Sequence, residues 1–165
     1  YYTPAQFAAA DGSGLESLED LAGQAVCVGV STTYETWLSG NAADLGLPPE
    51  SFFAEPPADV TIVPLATDAE CPQSIQAGPE EFQAFLTSNT VVQAAIDAGL
   101  PIHRVGSPVF SENLAAAFDS SSELDNASAV QRVGEIIQAM HDDGTLRELS
   151  MKWFDADLTA APSEQ

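Results

Sequence analysis

Short apolar runs alternate along this chain with segments of helical periodicity. Ala25–Val30 is apolar, rich in valine and bounded by Gly23 and by Ser31-Thr32-Thr33, which predicts a strand buried on both faces. Before it, Ser17 with Asp20 three residues on makes a capping-box-like start and Gly23 a stop, so a helix is expected there. After it, Tyr34, Trp37 and Leu38 predict a helix opened by the three hydroxyl residues. Val60–Leu65 predicts a second strand, with Pro64 favouring an edge or strand-end position. Thr67 or Asp68 then caps a helix with Pro72 in its first turn and Gly78 at its end. Phe82–Thr87 predicts a third strand, and Asn89 caps a helix through Ala98 that Gly99 stops. Ile102–Val105 reads as a fourth strand and Glu112–Phe118 as a fifth extended segment, although its alanines suit a helix equally. Tyr1–Phe7 reads as an extended connector and Ala8–Gly14 as a loop. Strands and helices in this order predict an α/β layer fold with a mainly parallel sheet.

The last third changes character. After a polar loop at Ser120–Asn126, Val130, Val133, Ile137 and Met140 recur at three- and four-residue steps, predicting an amphipathic helix over Ala127–Asp143. Thr145 and Glu148 make a capping box for a final helix carrying Leu146, Leu149, Trp153 and Phe154, and Asp155–Gln165 is a polar tail. No strand accompanies these helices in the sequence. Each large apolar side chain left in water forfeits roughly 1.5–3 kcal/mol, so their faces must pack on something.

Charge narrows the partners. The chain has 165 residues, with 25 acidic side chains against four Lys and Arg, for a net charge of −21. Nucleic acid is excluded as a partner, because neutralising phosphates takes Lys and Arg. An anionic membrane surface is disfavoured for the same reason. Such a chain suits solution at high salt, where screening relieves self-repulsion. No apolar run approaches the ~20 residues of a membrane span, and no leader peptide is recognisable, so a secreted protein would stand here in mature or trimmed form. Cys27 and Cys71 have no metal-binding spacing; they pair in an oxidising compartment, or Cys27 is simply a small buried hydrophobe in its strand. His103 and His141 have no partner at metal spacing, and structural or solvated roles are expected for both.

Ser31, Thr32 and Thr33 carry the candidate chemistry. A strand ending in small hydroxyl residues at a helix start offers free N–H groups and a favourable dipole to an anion. Ser and Thr are equally ordinary helix caps, so the local pattern leaves both readings open.

Residues 14–38, GLESLEDLAGQAVCVGVSTTYETWL, resemble a segment of extracellular solute-binding proteins of the polar-amino-acid ABC-importer type. So do DDGTLRELSMKWF near the end and Ile75–Thr87 between them, in the family's order. The resemblance implies a type II periplasmic-binding-protein-like fold: a three-layer α/β lobe plus C-terminal helices. It implies a crossing strand and loop over 1–13, lobe 2 over 14–106, a return crossing over 107–118, C-terminal helices of lobe 1 over 119–158 and a tail over 159–165. The N-terminal part of lobe 1 would be absent, and the helices would be covered by that part as a second fragment, by exchange between two copies of the chain, or by folding back onto lobe 2. The implied function is the solute-binding component of an ABC importer, without catalytic residues, metal or cofactor. Its partners would be an amino acid or related small zwitterion or anion and a membrane permease. It would work in the periplasm or outside the cell, with a lipid anchor on the absent segment. A receptor's ligand-sensing domain and a cyclohexadienyl-dehydratase-like enzyme are the alternatives.

Residue by residue, Thr32 matches the family threonine that holds the ligand carboxylate, with Ser31 in place of a glycine and Thr33 beside it. The family aspartate that holds the ligand ammonium falls at Ser88, next to Asn89, and neither is charged. A helix cap is the plain reading of that pair. The expected ligand-binding residues are Ser31, Thr32, Thr33, Ser88 and Asn89.

Overall fold

Strand β1 (Tyr2–Ala10) is buried along nearly its whole length, because it lies inside a five-stranded sheet. The computed structural model describes residues 1–78, 81–121 and 126–160. The other strands are β2 (Ala25–Gly29), β3 (Thr61–Leu65), β4 (Ala84–Ser88) and β5 (Ile102–Asn113), in the order β3-β2-β4-β1-β5. β2 runs parallel to β3 and β4, whereas β1 is antiparallel to β4. Pro64 lies in β3 at the sheet edge, where its missing N–H costs no ladder bond.

Packing divides the chain into two units. The larger is Thr3–Glu112 and holds a three-layer core. On one face, Val26, Val28, Ala84, Leu86, Phe7 and Phe110 pack with Tyr34, Trp37 and Leu38 of helix α1 (Thr33–Leu38). On the other, Cys27 and Phe85 pack with Ile75 of α2 (Glu70–Ala77) and Val92 of α3 (Asn89–Asp97). This alternation is what a sheet buried on both sides requires. Cys27 and Cys71 form a disulfide that fastens β2 to α2, so Cys27 is not a free buried thiol.

The smaller unit is Tyr1–Tyr2 with Asn113–Gln165. Tyr1 and Leu114 exchange backbone hydrogen bonds, at 3.0 and 2.8 Å. Helices α4 (Asn126–Asp142) and α5 (Thr145–Phe154) line an apolar cavity of about 660 Å³ with Leu114 and Tyr1. Trp153 there is 70% exposed, and Ile137, Leu149 and Phe154 are exposed as well.

Several local expectations are corrected. The helix expected before Gly23 is a single 3₁₀ turn at Glu19–Leu21. Asp20 folds its carboxylate back onto the Ser17 hydroxyl and the N–H groups of Ser17 and Glu16, which favours a turn and lowers its pKa. Ala8–Ala10 belong to β1 rather than to a loop. Neither Thr67 nor Asp68 caps α2; Ala69 stands at the cap, and the Asp68 carboxylate accepts from the Thr87 hydroxyl instead. The third strand starts at Ala84, leaving Phe82 buried outside it. Ser88, one residue earlier than expected, caps α3 by accepting from Val91 N–H. The fourth strand runs on to Asn113, taking in Glu112, and Leu114–Phe118 is not a strand. No capping box forms at Thr145, whose N–H is held by Asp143 behind a left-handed Gly144. Pro79, Glu80, residues 122–125 and the end of the tail, which the sequence reading also covered, lie outside the described residues.

Candidate functional site

The parallel strands β2, β3 and β4 end at one crest, and the chain turns there into α1, α2 and α3. In an α/β sheet this crevice beyond the strand ends is where ligands sit. All five expected ligand-binding residues lie at the crest. Ser31, Thr32 and Thr33 follow β2, and Ser88 and Asn89 straddle the junction of β4 and α3.

The first group is a built turn. Thr32 is the N-cap of α1: its hydroxyl accepts from Glu35 N–H at 3.3 Å and donates to the Gly29 carbonyl at 2.7 Å. Ser31 N–H donates to the Glu35 carboxylate at 2.6 Å. The N–H groups of Thr32 and Thr33 head the helix, where no preceding carbonyl of the helix can accept from them. Ser31 has φ +60°, a left-handed conformation that costs a non-glycine residue about 1 kcal/mol. Serine is therefore strained here where glycine would not be.

The second group is more buried. Ser88 Oγ lies 3.0 Å from Thr90 Oγ1 while capping α3. Asn89 Oδ1 is buried without a hydrogen-bond partner. Its neighbours include groups that the sequence reading did not single out for the site. Asp68, reached from β3, receives the Thr87 hydroxyl, and its backbone closes over Gly29. Tyr34 is buried, near the charges of Glu112 and Asp68. Burial, and then the charges of Glu112 and Asp68, raise its pKa, so the phenol keeps its proton. Asp68 was legible in principle: it follows β3 as Ser31 follows β2, and parallel strand ends share one crest.

A β-carbon at Gly29 would lie 2.8 Å from Asp68 N and 3.0 Å from Thr32 Cγ2. Gly29→Ala is therefore expected to cost about 1–3 kcal/mol of stability, because the Asp68 backbone must shift. Urea unfolding checks this; a loss below a few tenths would show that the loop gives way freely.

The histidines lie elsewhere. His103 Nε2 is 2.9 Å from the Leu15 carbonyl and its Nδ1 is 3.3 Å from Asp11, which ties β5 to the loop after β1. His141 Nε2 is 3.2 Å from the Thr159 carbonyl. Among the described residues no group of three or more His, Cys, Asp or Glu is placed to hold a metal ion.

No protein-family model matches the chain. By sequence it is 25% identical over 150 residues to the probable amino-acid-binding protein YxeM of Bacillus subtilis (strain 168), covering 90% of this chain and 50% of that protein. The chain is its homologue. By structure it is similar to an ancestral arginine-binding protein bound to glutamine, with TM-score 0.70 and 21% identity over 94% of this chain and 61% of that one. The substrate-binding protein of an amino acid ABC transporter follows at TM-score 0.66 and 16% identity, covering 94% of this chain and 61% of that one. The GluR0 ligand-binding core from Nostoc punctiforme, solved with L-glutamate, gives TM-score 0.66 and 17% identity, covering 94% and 62%. The fold is periplasmic-binding-protein-like. The chain spans about half the length of that relative and about 60% of these structures.

Proposed function

We propose that this chain is the solute-binding part of an ABC importer's receptor and that it binds an amino acid or a related small zwitterion without transforming it. Ser31–Thr33 receive the ligand carboxylate, and Ser88 and Asn89 line the same crest. The observation that carries this reading is the paired start of α1 and α3 at the ends of parallel strands, with Thr32 and Thr33 N–H groups heading α1. Because the Thr32 hydroxyl is already committed to the turn, backbone N–H groups rather than that hydroxyl hold the carboxylate. The Cys27–Cys71 disulfide supports a site of action outside the cytoplasm, where such bonds persist. The proposed partners are the importer's permease and a polypeptide that covers the exposed apolar side chains of α4 and α5. Residues 3–112 act as the ligand-contacting lobe.

Titration calorimetry with L-arginine, L-glutamine and L-glutamate tests the reading: saturable binding of at least one is expected, and none binding refutes it. Thr33→Pro sharpens the test. Proline is tolerated at the first helical position, and Thr32 at φ −93°, ψ 165° already has the backbone that precedes a proline. The substitution deletes one N–H and is expected to weaken binding about tenfold, since a hydrogen bond to a charged group contributes roughly 1.5–3 kcal/mol. The thermal midpoint should hold.

A further inference from the structure

Every residue that lines the cavity of about 660 Å³ belongs to the smaller unit. Its largest exposed walls are Tyr1, Leu114, Ile137, Leu149, Trp153 and Phe154. Leu149 and Trp153 are four apart on α5 and so share one side of that helix. Tyr1 stacks on Phe154, with ring centroids 6.2 Å apart. Trp153, at 70% exposure, projects furthest into water.

The face is large enough to be the centre of an interface. Scaled by their exposure, these six side chains leave on the order of 500 Å² of apolar surface in water, given about 150–250 Å² for a whole aromatic side chain. Few monomers leave so large a patch open. A stable pair of proteins buries about 800 Å² on each partner, polar rim included.

Charge singles out the same face. The chain has 25 Asp and Glu, yet among the described residues none lines this cavity. Of its four Lys and Arg, Arg132, Arg147 and Lys152 lie on α4 and α5. A net charge of −21 opposes the meeting of two copies, and opposes it least where acidic side chains are absent and basic ones gather. Shape agrees: the face carries both a projecting tryptophan and an open apolar cavity, so a two-fold axis lets each copy fill the other.

We propose that a second copy of this chain covers the face. The two copies pack α5 against α5 about a two-fold axis, the Trp153 of each enters the cavity of the other, and the pair tightens as salt rises. Salt at 1 M shortens the screening length to about 3 Å, which removes the repulsion between the copies and leaves apolar contact intact. This names the covering polypeptide of the solute-binding reading but stands on the apolar face alone, so the failure of either leaves the other intact.

The test is sedimentation velocity of the whole chain in about 0.1 M and about 2 M sodium chloride, with tryptophan emission recorded on the same samples. At high salt a species of twice 17.3 kDa is expected, with emission shifted to the blue, because Trp153 leaves water while Trp37 is buried throughout. Trp153→Ser, which changes no charge, is expected to weaken pairing about tenfold or more, as loss of a central tryptophan does. Its thermal midpoint should hold, because the side chain is exposed. Leu149→Ser, expected to act in the same direction, decides the matter should Trp153→Ser fail to fold. A chain that stays monomeric in both salts overturns the proposal and leaves the face to a different polypeptide. A pair whose emission does not move, or that the folded variants leave undiminished, overturns it too, since its contact is then elsewhere. Assemblies that grow beyond the dimer overturn the closed two-fold arrangement.

Discussion

Removing the Cys27–Cys71 disulfide is expected to lower the free energy of unfolding by about 4 kcal/mol, from the entropy of closing a loop of this length. The two half-cystines are 44 residues apart in sequence and both are fully buried. The bond joins the interior strand β2 to α2, which starts two residues after Asp68. Its loss therefore also frees the turn that places Asp68 over Gly29. Urea titrations of the oxidised protein and of a Cys27→Ala/Cys71→Ala variant measure the difference. A change under 1 kcal/mol would mean that the unfolded chain is already held compact by other contacts.

Trp37→Ala is expected to cost roughly 3–5 kcal/mol, the range for deleting a fully buried aromatic side chain. Trp37 is 1% exposed, with ring centroids 6.2 Å from Phe7 and 5.5 Å from Phe110. Helix α1 has six residues, too few to be stable by propensity, so it is held in place by this side chain with Tyr34 and Leu38. Losing it should loosen the turn at Ser31–Thr33 and weaken ligand binding as well as stability. Fluorescence reports the change directly. The other tryptophan, Trp153, is 70% exposed, so the variant's emission should shift to the red already in the native state. Stability within 1 kcal/mol of the parent would show that the core closes over the gap.

How much of this was legible in the sequence depended on whether the signal was local. The unit from β2 through the Ser31–Thr33 turn to α1 was readable, since a valine-rich run followed by hydroxyl residues states both the strand and the cap. Pro64 suggested an edge strand or a strand end, and β3 lies at the edge. The expected helix before Gly23 failed because Asp20 satisfies nearby N–H groups in a turn as well as it would in a helix. The disulfide was open on sequence alone: two cysteines without spacing carry no pairing information until β2 and α2 are brought together. Tyr34, Asp68 and Glu112 come from three separate segments, so their meeting depends on sheet order. Thr3 was read only as part of a connector, because nothing in YYTPAQF says that its strand will be enclosed between two others.

That enclosed strand bears on how the protein is made. β2 and β3 pair in parallel across one intervening segment, and α1 packs from within it. β1 must instead find β4 and β5 across most of the larger unit, and non-local closure of this kind is slow. Until it arrives, one side of β4 presents open backbone groups and an apolar surface on which another chain can pair. Protection from aggregation is thus completed by a late event, and conditions that delay β1 should yield chains that do not stay apart.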